Sequence, residues 1–506
     1  MDFTPIGRLL LARGVCRTDR WNVSGEEVQR AELLRLLRHG RSTEYGRKYG
    51  FGDLPGDGGD LYRRFAERVP LVGYNELRPL VMRMIAGEKD VLWPGRCLRY
   101  AQSSGTSDGK SKYIPVTDSS LRHNHYRGAG DSVGHYLRAV PSSRLFSGKG
   151  LILGGSFANE VPASLKHRGV KIGDLSATLI DRIPFGAGLF RVPPKEIALL
   201  SDWSEKLPAL ARAAAPCDIT NISGVPSWFL TVLRTVLQIA GADRITDVWP
   251  HLEVFFHGGI SFAPYREEYK RICDPARMHY VETYNASEGF FASAVSPGDR
   301  AMLLLLDGGV FYEFLRPGSD APMPLWEVVE GEVYELIITS CNGLWRYRLG
   351  DTVLIESTAP VKISIAGRTK SFINAFGEEV MEYNAEEAIS TACRATGAEI
   401  SNYTVAPVYA SDGHRGRHQW IIEWVTPPAD IREFAAVLDR RLQEVNSDYQ
   451  AKRSHTIFLD PPEITGVAAG TFDNWLRRHG TGKLGGQRKV PRLSNDRRIA
   501  EEILVS

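Results

Sequence analysis

The chain has 506 residues, 43% hydrophobic and 24% charged, which fits a globular protein too long for one ordinary core, so two or three domains are expected. Its 62 Lys and Arg against 60 Asp and Glu leave +2, which points to neither nucleic acid nor a membrane as partner. The six cysteines (Cys16, Cys97, Cys217, Cys273, Cys341, Cys393) are scattered without a C-x-x-C pair, so no zinc site or disulfide framework is predicted, and reduced thiols in a cytoplasmic protein are expected.

The opening MDFTPIGRLLLARGVC has one apolar patch bracketed by Arg8 and Arg13, too short and too charged for a signal peptide or a spanning helix. EEVQRAELLRLLRHG predicts a helix with Val28, Leu33, Leu34 and Leu37 near one face, ending at Gly40 as its C′ residue. From about Leu92 to Ile365, strand-like runs such as GLILGG, LEVFFHGG and GEVYELIITS alternate with helical patterns, as in an α/β architecture.

Within this stretch lies SSGTSDGKSK, Ser103 to Lys112. It is one residue short of the G-x-x-x-x-G-K-[ST] spacing of a Walker A loop. The flanks CLRYAQ and YIPVT are strand-like, and Pro115 bars a following helix, so the loop is expected to join two strands. Its glycines and hydroxyls suit close backbone approach to an anion, although a plain Ser/Gly surface loop has the same composition.

VETYNASEGFF places Glu288 in a Ser-Glu-Gly turn, as a helix cap or solvated residue or, beside a triphosphate, a Mg²⁺ ligand. LWRYRLGD puts Asp351 in a Gly-Asp turn before a strand, as a turn former or an acceptor for two ribose hydroxyls. Arg346 and Arg348, at alternate positions, are expected to share one face toward that site. Around and after Gly367 the order β-α-β-β-α-β, starting with VKISIAG and ending with HTIFLDPPEI, predicts a ferredoxin-like α+β lid. The expected domains are 1–367, an α/β body, and 368–506, a mobile lid, with IAGRTKSFINAFGEEV at the hinge and the glycine-rich, basic GTGKLGGQRKVPR near the end.

Taken together, SSGTSDGKSKYIPVT, the upstream VPLVGYNELRPLVMRMIAGEKDVL, YNASEG, YRLGD and QRKVPR resemble the Gretchen Hagen (auxin-responsive promoter) family of acyl acid amido synthetases. That family sits within the adenylating superfamily of firefly luciferase and acyl-CoA synthetases, and the resemblance spans nearly the whole chain. It implies ATP and Mg²⁺, with Ser103, Ser104 and Thr106 on the phosphates, and Gly258, Gly259, Thr283 and Tyr284 around the adenine. It further implies Ser287 and Glu288 at the α-phosphate and metal, Asp351 on the ribose and Arg368 reaching in from the hinge. Lys489 would meet the reacting centre, with Lys483 as the alternative, and Lys370 stands where many relatives have Asp. The helix after the loop would line the acyl pocket, offering Arg122, His123, Tyr126 and Arg127. The activity implied is adenylation of a carboxylic acid, then acyl transfer to an amine, in a monomer or weak dimer. An acyl-CoA ligase and a non-catalytic binding protein are the alternatives.

Overall fold

The computed structural model describes residues 1–54, 61–103, 112–157, 159, 161–259, 262–368, 372–373, 375, 378, 380–408, 416–446, 449–450, 453, 459–479 and 490–505. The chain divides into two compact units: Met1–Ile260 with Arg271–Ser364 and Gly485–Gln487, and Ser261–Lys270 with Ile365–Leu484 and Arg488–Ser506. Among the described residues no helix is long and apolar enough to cross a membrane, and all six cysteines are free thiols.

The first unit opens with helices, including Thr4–Thr18, Trp21–Gly40 and Tyr74–Ile85. Trp21–Gly40 buries Leu33, Leu36 and Leu37, while Val28 and Leu34 only flank that face. Gly40 is the last helical residue and does not take the left-handed C′ conformation. A Cβ there would lie 2.5 Å from Cζ2 of Trp345, so close packing, not capping, requires the glycine.

A twelve-stranded mixed sheet forms the centre of this unit. Lys149–Ile152, Arg191–Val192, Ile219–Gly224, Val254–Gly258 and His279–Ala286 pair in parallel. Near-continuous apolar runs such as Val254, Phe255 and Phe256 are what a strand covered on both faces needs. From His279–Ala286 onward the pairing turns antiparallel through Gly289–Ser293, Met302–Leu304 and Val361–Arg368, and beyond these come Tyr347–Thr358, Val333–Ser340 and Val310–Leu315. A separate sheet holds the hairpin Arg99–Ser103 and Lys112–Pro115, antiparallel with Ser103 opposite Lys112, so the loop between them does join two strands.

The second unit packs helices Glu382–Thr396 and Ile431–Val445 with a sheet of Glu399–Val408, Arg417–Thr426 and Glu463–Val467. Its core includes Ile389, Tyr403, Trp420, Phe434 and Leu438. VKISIAG does not join this sheet, because Val361–Arg368 follows Tyr347–Thr358 after only two residues and lies in the large sheet. A short hairpin connection costs little closure entropy, so local pairing wins. The last strand begins at Glu463, after Pro461 and Pro462, which have no N–H to give a ladder.

Candidate functional site

Ligands of α/β sheets collect at the carboxyl ends of parallel strands. Gly258 ends Val254–Gly258 and pairs with Thr283 of the neighbouring parallel strand. A Cβ on Gly258 would stand 2.2 Å from the Thr283 carbonyl oxygen, so only glycine lets the strands approach here. Gly259 follows with φ +83°, a left-handed conformation that favours glycine. Thr283 Oγ1 donates to the His257 carbonyl at 3.1 Å, which fixes that strand end.

One residue on, the Tyr284 hydroxyl donates to Oδ2 of Asp351 at 2.5 Å. Both residues are buried, Tyr284 at 5% and Asp351 at 7% exposure, so a carboxylate is held in the interior by a phenol. Asp351 lies inside the strand Tyr347–Thr358, not before it. The partner register runs Ile337 to Arg348 and Glu335 to Thr352, so Leu349, Gly350 and Asp351 together oppose Leu336 alone. Gly350 has φ +85°, and the bulge re-aims Asp351 out of the ladder.

Ser287 and Glu288 form the two-residue turn between His279–Ala286 and Gly289–Ser293, where Ala286 pairs with Gly289. Neither is solvated, with Ser287 at 3% and Glu288 at 7% exposure. Asn342 Nδ2 donates to the Glu288 carbonyl at 3.0 Å and anchors the turn. The Tyr74 hydroxyl accepts the Tyr113 N–H at 2.6 Å just behind the loop. Burial pushes the Tyr74 phenol up to about 12, and the Glu288 charge adds to the rise. The hairpin under the loop, the Glu288 turn and the Asp351 bulge therefore belong to one neighbourhood of the first unit. Tyr74 and Asn342 carried no sequence signal beyond their place in or near the quoted motifs.

Ser104 and Thr106 lie outside the described residues, as do Lys370, Lys483 and Lys489. Ser103 ends its strand and Arg368 ends another, and only their backbones are described. Arg368 belongs to the second unit, whereas Gly258, Gly259, Thr283, Tyr284, Ser287, Glu288 and Asp351 belong to the first.

Arg346 and Arg348 do not turn toward this site. Arg346 makes a buried ion pair with Glu313 at 2.8 Å and donates to the carbonyls of Ala66 and Val69, both at 2.7 Å. Its φ of +45° breaks the alternation on which a shared face depends. Arg348 pairs with Glu335 on the adjacent strand at 2.6 Å.

On the helical stretch after the loop, Arg122 and His123 are exposed. Partial burial lowers the His123 imidazolium, helped by Arg35 and Arg127. The Tyr126 hydroxyl donates to the Leu179 carbonyl at 2.9 Å, and burial raises its phenol to about 12. Arg127 pairs with Asp307 at 2.6 Å. The opposite face docks on Gly289–Ser293. There Asn124 Nδ2 donates to the carbonyls of Phe290 and Gly308, and Asn124 Oδ1 accepts the Phe290 N–H at 2.6 Å. His125 is buried near Asn285, and desolvation drops its imidazolium to about 4.

Among the described residues no group of three or more His, Cys, Asp or Glu could hold a metal alone. One buried carboxylate, Glu288, suits Mg²⁺, which takes one or two protein carboxylates and completes its shell with phosphate and water oxygens. The structure thus brings together a side-chain-free strand edge at Gly258, the Tyr284 ring and the acceptor carboxylate of the re-aimed Asp351.

Family models match most of the chain: the GH3 family N-terminal domain over residues 20–153 and 131–278, the GH3 family central domain over 303–368, and the GH3 family C-terminal domain over 383–498. A probable indole-3-acetic acid-amido synthetase of Oryza sativa subsp. japonica is 23% identical, with 96% of this chain and 94% of that protein aligned. A jasmonoyl–L-amino acid synthetase of Nicotiana attenuata is 21% identical over 92% and 90% of the two chains. Among solved structures, a GH3.15 acyl acid amido synthetase in complex with 2,4-DB superposes with TM-score 0.79 at 18% identity, covering 98% of this chain and 96% of that one. A 2-hydroxyisobutyryl-CoA ligase in the postadenylation state superposes with TM-score 0.56 at 13% identity, covering 94% and 92%.

Proposed function

Because this chain belongs to the GH3 family, we propose that it is an ATP-dependent acyl acid amido synthetase acting on a small carboxylic acid and an amine, with an amino acid as the acceptor. The observation that carries the reading is the buried Asp351 carboxylate, re-aimed by a bulge and held by Tyr284 beside the carboxyl end of two parallel strands. The names of the relatives, amido synthetases of indole-3-acetic acid and jasmonic acid, support an amide product.

In the first step a carboxylate oxygen of the acid attacks the α-phosphorus of ATP. The bond from that phosphorus to the bridging oxygen breaks, its electrons leave with pyrophosphate, and an acyl-AMP remains. Asp351 accepts the ribose hydroxyls, Gly258 and Gly259 let the adenine approach the strand edge, and Thr283 and Tyr284 wall it. Ser287 meets the α-phosphate, while Ser103, Ser104 and Thr106 hold the outer phosphates. Glu288 would hold Mg²⁺, which when bound neutralises phosphate charge. Arg368 and Lys489 are the residues proposed to add positive charge during the reaction. In the second step the amine nitrogen attacks the acyl carbonyl, the carbon–oxygen bond to AMP breaks, and the nitrogen loses a proton. The reaction needs charge neutralisation and positioning, not a nucleophilic side chain. The Arg122–Arg127 stretch lies at the acyl end. The protein works in the cytoplasm as a monomer or weak dimer.

Mass spectrometry of products from one activated acid, offered pooled amino acids or coenzyme A, tests the acceptor. An N-acyl amino acid is expected; a thioester alone would assign the chain to acyl-CoA ligation.

A further inference from the structure

Lys112 closes the phosphate-loop hairpin, paired with Ser103 across its base. Its Nζ donates to the Tyr347 hydroxyl at 3.2 Å and stands 5.8 Å from the centre of that ring. Tyr347 is fully buried, and backbone pairing fixes it on both sides. Ile338 faces it across one ladder, and Val72 bridges it on the other. There Val72 N–H donates to the Arg346 carbonyl at 3.1 Å, and Arg348 N–H to the Val72 carbonyl at 2.9 Å. The hydroxyl that meets Lys112 thus hangs from a backbone with little freedom.

The neighbours of Tyr347 set off its role. Arg346 and Arg348 each face a carboxylate, Glu313 and Glu335, whereas the Tyr347 hydroxyl offers an ammonium a neutral acceptor. That contact orients the lysine and adds no counter-charge. Asp351 lies four residues along the same strand, at most ~13 Å of extended chain away. The exit of the phosphate loop and the ribose carboxylate are therefore tied to one rigid element.

We propose that Tyr347 is a positioning residue of the adenylation step, holding the Lys112 ammonium against the outer phosphates of ATP at a set separation from Asp351. The inference rests on the reading of this site as an ATP site. When the bond from the α-phosphorus to the bridging oxygen breaks, negative charge gathers on the departing pyrophosphate. An ammonium already in place meets that charge without reorganising, and no proton moves to or from Lys112. A lysine side chain has many rotamers, and a fixed hydroxyl selects the productive one before the substrate arrives.

The test is a double-mutant cycle of Tyr347→Phe and Lys112→Met, read by acid-dependent ATP–pyrophosphate exchange and thermal melting. Tyr347→Phe should lower kcat/KM for ATP by about 10- to 100-fold, leave KM for the acid unchanged and retain cooperative melting. In the Lys112→Met background the same change should alter exchange by less than about twofold, because the group it positions is gone. Effects that multiply in the double variant, or a rise in both KM values together, would mark Tyr347 as a general packing residue and overturn the proposal. Wild-type exchange by Lys112→Met or by Tyr347→Phe would overturn it while leaving the adenylation reading intact. A wild-type chain without exchange on any acid would remove that reading and the positioning role with it.

Discussion

Replacing Asp351 with Asn keeps the shape of the side chain and an oxygen to accept the Tyr284 proton but removes the charge. A hydrogen bond to a charged acceptor contributes ~1.5–3 kcal/mol against ~0.5–1.5 kcal/mol for a neutral one. Two ribose hydroxyls on one carboxylate would therefore lose ~2–3 kcal/mol together, a factor of about 30 to 150 in kcat/KM for ATP. The informative assay compares ATP with its 2′-deoxy and 3′-deoxy analogues in acid-dependent pyrophosphate exchange. The wild-type protein should disfavour each analogue by about tenfold or more, and Asp351→Asn, left with a neutral acceptor, should discriminate less, by about 2- to 12-fold. Equal use of ATP and both analogues by the wild type would refute the ribose assignment. So would discrimination undiminished in Asp351→Asn.

The single carboxylate of the Glu288 turn predicts that Glu288→Gln raises the half-saturating Mg²⁺ concentration by about tenfold or more; an unchanged metal titration would exclude it as a ligand. Gly258→Ala puts a Cβ 2.2 Å from the Thr283 carbonyl. It should cost ~1–3 kcal/mol in denaturant unfolding and raise KM for ATP. Arg346→Met leaves the Glu313 charge buried at about 1% side-chain exposure without its cation, with the Tyr62 hydroxyl still donating to it at 3.1 Å. It should lose ~3–5 kcal/mol of stability with KM for ATP unchanged in the folded fraction, because Arg346 does not face the site. Burial disfavours the charged forms of His125 and His135 and pushes both imidazoliums down to about 4 from an ordinary value of 6.5. Between those values the unfolded chain binds more protons, so stability should fall as pH drops from 6.5 toward 4, and a His125→Gln, His135→Gln variant should show a flatter dependence in thermal melts across that range.

The hairpin of Arg99–Ser103 and Lys112–Pro115 was legible because its flanks, CLRYAQ and YIPVT, state their own conformation and Pro115 excludes the helix of a Walker A loop. The α/β body was legible for the same local reason, since runs such as LEVFFHGG appear as strands. What sequence missed was set by partners far along the chain. Gly40 reads as a helix stop until Trp345 is packed against it. Arg346 and Arg348 read as one face until a positive φ and two distant glutamates separate them. VKISIAG reads as the start of the small domain, yet pairs within the large sheet after a two-residue connection. Residues 261–270, just after the Gly258–Gly259 motif, cluster with the second unit, and nothing in their composition marks this. At the site, Asp351 was identifiable as a residue type in a motif. The bulge that aims it depends on a register count between strands, which no single stretch contains.

Everything proposed for this site depends on a carboxylate being activated by attack on the α-phosphorus of ATP. Isotope exchange between pyrophosphate and ATP, measured with purified wild-type protein and Mg²⁺ across a panel of aryl and alkyl acids, tests it most directly. Exchange should depend strictly on a cognate acid and proceed without any amine. Exchange independent of every acid, or release of ADP and phosphate in place of AMP and pyrophosphate, would contradict it.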